Sequence, residues 1–243
     1  MSKKGRAALE QRARVEEKAQ ELEGRPAQDV LSWAAAEYRD RLVLSASFGG
    51  PTSLVVLDML MAVDPSARVS YIDTGLLFPQ TYELVAAVEK RYGITVDAIR
   101  SDVSVDEQTA LYGDELWARD PDACCGVRKV APQTTYLGQF DAWVTGLRRD
   151  QSVDRKHVPV IEWDRRFGLV KLNPLAAWDE RAVWAYVLQH DLPYNPLNDR
   201  GFPSVGCTHC TRAVGAGEDR RAGRWSGFQK TECGLHASAG SGI

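Results

Sequence analysis

Apolar and polar positions along the chain follow two periods in turn. Residues 6 to 23 are largely polar and read as a helix stopped by Gly24, and Pro26 opens a second helix running to about Arg39. Residues 1–40 are therefore expected to form a helical preface. From Arg41 the pattern changes. Arg41 to Ala46 is a short apolar strand, followed by a Gly/Pro loop and an apolar helix from about Thr52 to Val63. The unit then recurs as a strand at Arg68–Ile72, a turn at Asp73-Thr74-Gly75 and a helix at Pro79–Tyr92 closed by Gly93. A strand at Ile94–Ile99, a less regular helical stretch and a fourth strand at Asp141–Thr145 continue it. Val158–Trp163 and Gly168–Leu172 predict a hairpin that turns at Asp164–Phe167, and Trp178–His190 predicts an amphipathic helix.

Short strands separated by helices need crossover connections, so the pattern predicts an α/β fold with a doubly wound, mostly parallel sheet over residues 41–200. Beyond Leu192 prolines appear, then a basic, Gly-rich region over residues 201–243. Its end, Ala237-Ser238-Ala239-Gly240-Ser241-Gly242-Ile243, reads as a mobile tail.

Composition narrows the function classes. The 243 residues are 44% hydrophobic and 26% charged, the balance of a soluble globular chain with a substantial core. The net charge of −3 gives no general affinity for polyanions, so nucleic acid is not an expected partner. The longest apolar run, Ala182–Leu188, falls far short of the roughly 20 residues that span a bilayer, and no membrane association is expected. The N-terminus lacks a secretory apolar stretch, so a cytoplasmic location is expected, with thiols kept reduced.

Candidate chemistry gathers in the loops at the carboxyl ends of the strands, where backbone amides and helix N-termini favour anions. Ser47-Phe48-Gly49-Gly50-Pro51-Thr52-Ser53 fills the first loop, and Ser47, Gly49 and Gly50 are its candidate oxyanion contacts; a plain strand-to-helix turn is the alternative. Asp73, Thr74 and Gly75 end the second strand. Gly146, Arg148 and Arg149 follow the fourth, where arginine forks match phosphate or sulfate oxygens, unless they are ordinary solvated charges. From Arg212 to Lys230 basic residues outnumber acidic ones five to two, which points to a local site for a small anion, with Arg221 and Arg224 as candidate substrate contacts.

The cysteines carry the most information. Cys124 and Cys125 are adjacent, and Cys207 and Cys210 make a C-x-x-C. A vicinal disulfide is disfavoured, because consecutive Cα atoms are about 3.8 Å apart and bridged ones usually more than about 4.4 Å. Four thiolates suit tetrahedral zinc or an iron–sulfur cluster, and adjacent thiolates reach two irons of a [4Fe–4S] cubane more readily than one ion. Buried, unliganded cysteines remain the bland alternative. Lys129 can neutralise an anionic cluster or substrate, or be a plain helix lysine. Cys233 is left over, on Glu232-Cys233-Gly234-Leu235-His236. An unpaired thiol near Arg221, Arg224 and Lys230 suits a nucleophile that His236 can assist, or both are simply tail residues.

With these motifs in view the chain resembles the assimilatory sulfonucleotide reductases, specifically the iron–sulfur-containing adenylyl-sulfate (APS) reductases, from about Leu42 to His236. The likeness rests on Cys124-Cys125-Gly126-Val127-Arg128-Lys129, on Trp143 to Ser152, on Lys171-Leu172-Asn173-Pro174-Leu175, on Pro193-Tyr194-Asn195-Pro196-Leu197, on Gly206-Cys207-Thr208-His209-Cys210-Thr211 and on the Cys233 motif. It implies an adenine nucleotide α-hydrolase-like (PP-loop, Rossmann-like) fold. It also implies a [4Fe–4S] cluster on Cys124, Cys125, Cys207 and Cys210, with Lys129 between cluster and substrate, and Cys233 as the nucleophile. The implied reaction converts APS to sulfite and AMP through a Cys S-sulfonate, with thioredoxin or glutaredoxin as reductant; assembly into a homo-oligomer is left open. One departure stands out: the family's first loop carries an acidic pair where this chain has Pro51-Thr52 after Gly50. Reduction of phosphoadenylyl sulfate (PAPS), dual specificity, a tRNA-thiolating PP-loop ATPase and a zinc-stabilised binding protein are the competing expectations.

Overall fold

The computed structural model describes residues 3–236, with side chains from residue 12. The expected mobile tail at 237–243 lies outside the described residues. Helices α1 (Lys3–Leu22) and α2 (Ala27–Tyr38) come first. Pro26 caps α2 from outside, its φ of −53° leading into the helix without an N–H to satisfy. Then follow β1 (Leu42–Ser45), α3 (Pro51–Val63), β2 (Arg68–Asp73), α4 (Pro79–Tyr92) and β3 (Val96–Arg100). The irregular stretch resolves into α5 (Val105–Tyr112), α6 (Leu116–Arg119), α7 (Pro121–Cys125), a π-helical turn at Gly126–Val130 and α8 (Ala131–Leu137). β4 (Ala142–Val144), β5 (Ile161–Asp164), β6 (Leu169–Leu172) and α9 (Glu180–Gln189) complete the regular elements.

Six strands make one sheet in the order β3-β2-β1-β4-β6-β5. β4 lies parallel to β1, with Val43 opposite Trp143, and parallel to β6, with Trp143 opposite Lys171. β5 closes the edge antiparallel to β6, so the predicted hairpin and the mostly parallel α/β sheet are both present. The hairpin strand starts later than the apolar pattern suggests. Asp164 belongs to the strand, and its carboxylate caps the turn by accepting the N–H groups of Arg166 and Phe167.

The chain groups into two compact units. One comprises residues up to Ala46, Thr52–Val69 and Gln139–Leu192; the other comprises Ser47–Pro51, Ser70–Gly138 and the chain from Pro193. In the first, Leu42, Val43, Leu44, Ala142, Trp143, Val144, Val170 and Leu172 are buried almost completely, as strands covered on both faces require. Helix α3 is apolar nearly all round and buried to match. In the second, Leu84, Val85 and Val88 of α4 are buried, and Gly93 ends that helix in the left-handed conformation its sequence predicts (φ 66°). No helix among the described residues is long and apolar enough to cross a membrane.

Helix α9 starts later than Trp178 because Asp179 is its cap, accepting the N–H of Ala182 at 2.7 Å. Replacing Asp179 with Ala should lower unfolding free energy by about 1 kcal/mol, and Asp179→Asn should lower it far less. Chemical denaturation of the three proteins checks this, and equal losses in both variants would show that the cap is not the stabilising contact.

Candidate functional site

The four predicted ligand cysteines and Cys233 all belong to the second unit, on two separate stretches of chain. The tandem pair ends α7, which Asp120 starts by accepting the N–H groups of Asp122 and Ala123. The π-helical turn follows at once. Such turns widen the helix by one residue and recur at functional sites. Here two adjacent cations on the turn serve different groups. Arg128 is buried and donates to Gln108 Oε1 at 2.9 Å, to the Val103 carbonyl at 2.8 Å and to the Thr74 carbonyl at 3.4 Å. Lys129 instead lies within electrostatic reach of the sulfurs of Cys207, Cys233 and Cys125.

The C-x-x-C stretch is seated through its backbone. Thr208 N–H donates to the Leu76 carbonyl at 2.8 Å, Leu77 and Cys207 form an isolated bridge, and Thr208–Cys210 is one turn of 3-10 helix. Arg224 crosses this segment so closely that a Cβ on Gly206 would lie 2.3 Å from its guanidinium. Its Nε donates to the Cys210 carbonyl at 3.4 Å. The thiols have polar neighbours of their own: Thr74 Oγ1 is 3.3 Å from Cys207 Sγ, and Gln108 Nε2 donates to Cys124 Sγ at 3.9 Å. Cys124, Cys125 and Cys207 are buried, and Cys210 and Cys233 half-buried. Burial pushes the Cys125 thiol up to about 12, against the pull of Lys129. It also raises Cys124 and Cys210, each reinforced by Cys207. Burial opposes the charge of Lys129, but the sulfurs around it outweigh that and raise its pKa.

Whether these residues suit a metal group can be judged from the same geometry. Among the described residues no three His, Cys, Asp or Glu side chains are arranged to hold one metal ion. The four cysteines nevertheless interact: Cys124 feels Cys207 and Cys210, and Cys125 feels Cys207. Beside them the buried indole N–H of Trp225, a residue whose backbone N–H donates to the Cys210 carbonyl, has no acceptor among the described residues. Buried soft donors, nearby cations and an unanswered N–H suit an anionic sulfur-rich group spread over four ligands better than one ion.

The Cys233 segment is held by ion pairs. Arg221 donates to the Thr231 carbonyl at 2.7 Å and pairs with Glu232 at 3.5 Å, while Lys230 pairs with Asp122 of α7. Trp225 is buried at a positive φ of 47°, with Arg224, Lys230 and Arg221 at 4.5, 5.4 and 6.0 Å from its ring. His236 is half-buried in the same segment.

The remaining predicted contacts divide between the units. In the second, Gly49 lets the Ser47–Pro51 loop pass the chain at Val205, where a Cβ would lie 2.2 Å from the carbonyl oxygen. Buried Asn195 donates to the Phe48 carbonyl at 3.1 Å, which explains the Pro193–Leu197 motif; Gly50 has open space where a Cβ would sit. Gly75 has a positive φ of 71° and donates to Asp73. The Asp73 carboxylate also accepts from Tyr82 at 2.7 Å and Arg100 at 2.9 Å. Burial works against its charge, and these three donors together hold its pKa below the usual value. In the first unit, Gly146 lies so near the start of α3 that a Cβ would be 3.2 Å from Ser53 N. Arg148 is buried, donating to Thr52 and pairing with Asp150. Arg149 turns to Glu23 and the Val158 carbonyl, contacts that serve the fold.

Residues 41–213 match the family of the phosphoadenosine phosphosulfate reductase domain. An adenosine 5'-phosphosulfate reductase of Halalkalibacterium halodurans is 45% identical over 223 residues, 91% of this chain and 96% of the relative. One from Salinibacter ruber is 44% identical and spans 86% of this chain and 83% of its own length. Among solved structures, a phosphoadenylyl-sulfate reductase from Candida auris in a phosphate complex has TM-score 0.71 and 34% identity, covering 82% of this chain and 96% of its own. At 18% identity and TM-score 0.56, an FMN adenylyltransferase of Candida glabrata shares the fold.

Two residues of the site, Arg128 and Gln108, escaped sequence reasoning, because nothing local separates a buried helix cation from an exposed one. Removing Arg128 leaves the Gln108 side chain and two carbonyls without their donor. Arg128→Ala should therefore cost about 3 kcal/mol of stability. A loss under about 1 kcal/mol in a denaturant titration would show the guanidinium is dispensable.

Proposed function

The chain belongs to the phosphoadenosine phosphosulfate reductase domain family, and from that premise we propose that it reduces adenosine 5'-phosphosulfate, the adenylyl sulfate of sulfate assimilation, to sulfite and AMP, with Cys233 as nucleophile. The single observation that carries this reading is the placement of Cys233 beside Lys129 and Cys125, in the cationic end of the cysteine group. A thiolate is the reactive form of cysteine, and adjacent cations favour it.

In the proposed reaction the Cys233 thiolate attacks the sulfate sulfur of the substrate. The bond from that sulfur to the bridging oxygen breaks, and AMP leaves with the electron pair. Cys233 then carries an S-sulfonate. A dithiol of the thioredoxin or glutaredoxin class attacks the Cys233 sulfur, sulfite leaves, and the second thiol of the dithiol resolves the mixed disulfide. The dithiol is oxidised by two electrons and the sulfate sulfur is reduced. An external reductant is needed because the other four cysteines have a separate role. Ser47, Gly49, Gly50, Thr74, Gly75, Gly146 and Arg148 are proposed substrate contacts, with Arg221 and Arg224 as anion-binding groups. Asp73 and Arg149 are likewise proposed substrate contacts, in addition to their internal pairings. His236 is proposed to assist Cys233.

Cys124, Cys125, Cys207 and Cys210 would hold a [4Fe–4S] cluster. The residues fit: each cysteine thiolate would bind its own iron, so the four ligands need not converge on one point, and Lys129 would offset the negative charge. When bound, the cluster would shape the electrostatic field around Cys233 without changing oxidation state. A second reading, reduction of PAPS, is favoured by the named activity of the Candida auris enzyme and by the missing acidic pair of the first loop. Sulfite release from each nucleotide under one dithiol distinguishes the two.

Cys233→Ser should abolish sulfite formation while nucleotide binding and iron content stay at wild-type levels. Cys124→Ser and Cys210→Ser should lose iron and stability together, because ligation couples to folding. Iron and acid-labile sulfide assays on anaerobically purified proteins read both, and iron lost from the Cys233 variant would reverse the division of cysteines.

A further inference from the structure

Lys230 stands three residues before Cys233, and only 6% of its side chain is exposed. Its ammonium lies over the ring of Trp225, 5.4 Å from the centroid, and donates to the Asp122 carboxylate. Asp122 is on α7, two residues before Cys124, and 76% of its side chain is exposed. The pair therefore joins the backbone that carries the tandem cysteines to the backbone that carries Cys233. Arg221, by contrast, grips Thr231 and Glu232 from within the same C-terminal stretch.

We propose that Asp122 and Lys230 form a latch that positions Cys233 against the tandem-cysteine helix. The proposal rests on the reading of Cys233 as nucleophile. Three residues of extended chain span about 10 Å, so anchoring Lys230 confines the Cys233 sulfur to the neighbourhood of Cys125 and Lys129. Because Asp122 faces water, the contact is weak enough to release. A nucleophile that must first meet a bound anhydride and then an outside dithiol needs both properties. Lys230 and Asp122 touch neither reactant in this scheme; they act through the placement of Cys233.

Two measurements on the full-length, cluster-loaded protein test the latch: the alkylation rate of Cys233 by iodoacetamide without nucleotide, read by peptide mass spectrometry, and the single-turnover rate of Cys233 S-sulfonate formation from adenosine 5'-phosphosulfate. Lys230→Met keeps an unbranched side chain of similar length but removes the ammonium from both Asp122 and Trp225, whereas Asp122→Asn removes only the charge of an exposed group and isolates the ion pair. Each should speed alkylation by about twofold to fivefold, the range expected of an ion pair open to water at its Asp122 end, and slow sulfonation to a similar extent with nucleotide KM unchanged. The exchanged pair, Asp122→Lys with Lys230→Asp, should move both rates back toward wild type. Unchanged alkylation in both single variants overturns the latch, as does faster alkylation with undiminished sulfonation. If wild-type protein forms no S-sulfonate on Cys233, the reading of the nucleophile fails, and the alkylation rates alone then decide the latch.

Discussion

Charge on buried sulfur is the constraint from which the architecture of the second unit follows. Thiols placed out of water hold their protons, as the rise of Cys125 to about 12 shows, and neither metal ligation nor nucleophilic attack uses a protonated sulfur. Something positive must stand close by. Lys129 is that group: burial works against its charge, and the sulfurs of Cys207, Cys233 and Cys125 work for it. Lys129 pulls the Cys125 thiol down without offsetting its burial, while the sulfurs favour the charged form of Lys129 against its own burial.

One short segment, the π-helical turn, carries two cations with different partners. In a regular helix neighbours one residue apart point about 100° apart, and both must find a place on that helix's fixed faces. Within the turn at Gly126–Val130 Arg128 reaches inward to Gln108, Val103 and Thr74, while Lys129 lies among the sulfurs. Gln108 then links the two tasks, since it accepts from Arg128 and donates to Cys124. Thr74 does the same across the gap, its carbonyl facing Arg128 and its hydroxyl facing Cys207. The two cysteine stretches are braced by one polar network, which is why a loss at Arg128 should spread beyond its own contacts.

How much of this was legible depended on the distance in sequence between partners. The C-x-x-C, the tandem cysteines, helix α4 with Gly93 and the hairpin at β5 and β6 are set by neighbours a few residues apart, and the chain displays them openly. The functional polarity of the strand-end loops was less readable. Asp73 and Arg149 have the right chemistry for an anion site, but their partners, Arg100 and Tyr82 for one and Glu23 for the other, are assembled only by the fold. The Arg128 network reaches back to Thr74, and Lys230 finds Asp122 across more than a hundred residues. No local period marks such pairs. What the sequence did show near Lys230 was a surplus of cations, without saying that one of them would also hold α7.

That surplus has a physical use beyond binding an anion. The C-terminal stretch is poor in large apolar groups and gathers its cations around one buried indole, Trp225, with Arg224 nearest at 4.5 Å. Cation–π contacts and half-exposed ion pairs give direction without the large area cost of a hydrophobic seam, so a segment held by them opens at low free energy and closes to one geometry. A seam of leucines in the same place would dock the sulfur more firmly and release it more slowly. In the reaction proposed here the same sulfur must serve two partners in succession, so the weaker, more specific hold is the better solution, and the positive φ of Trp225 is the strain accepted to place the indole at its centre.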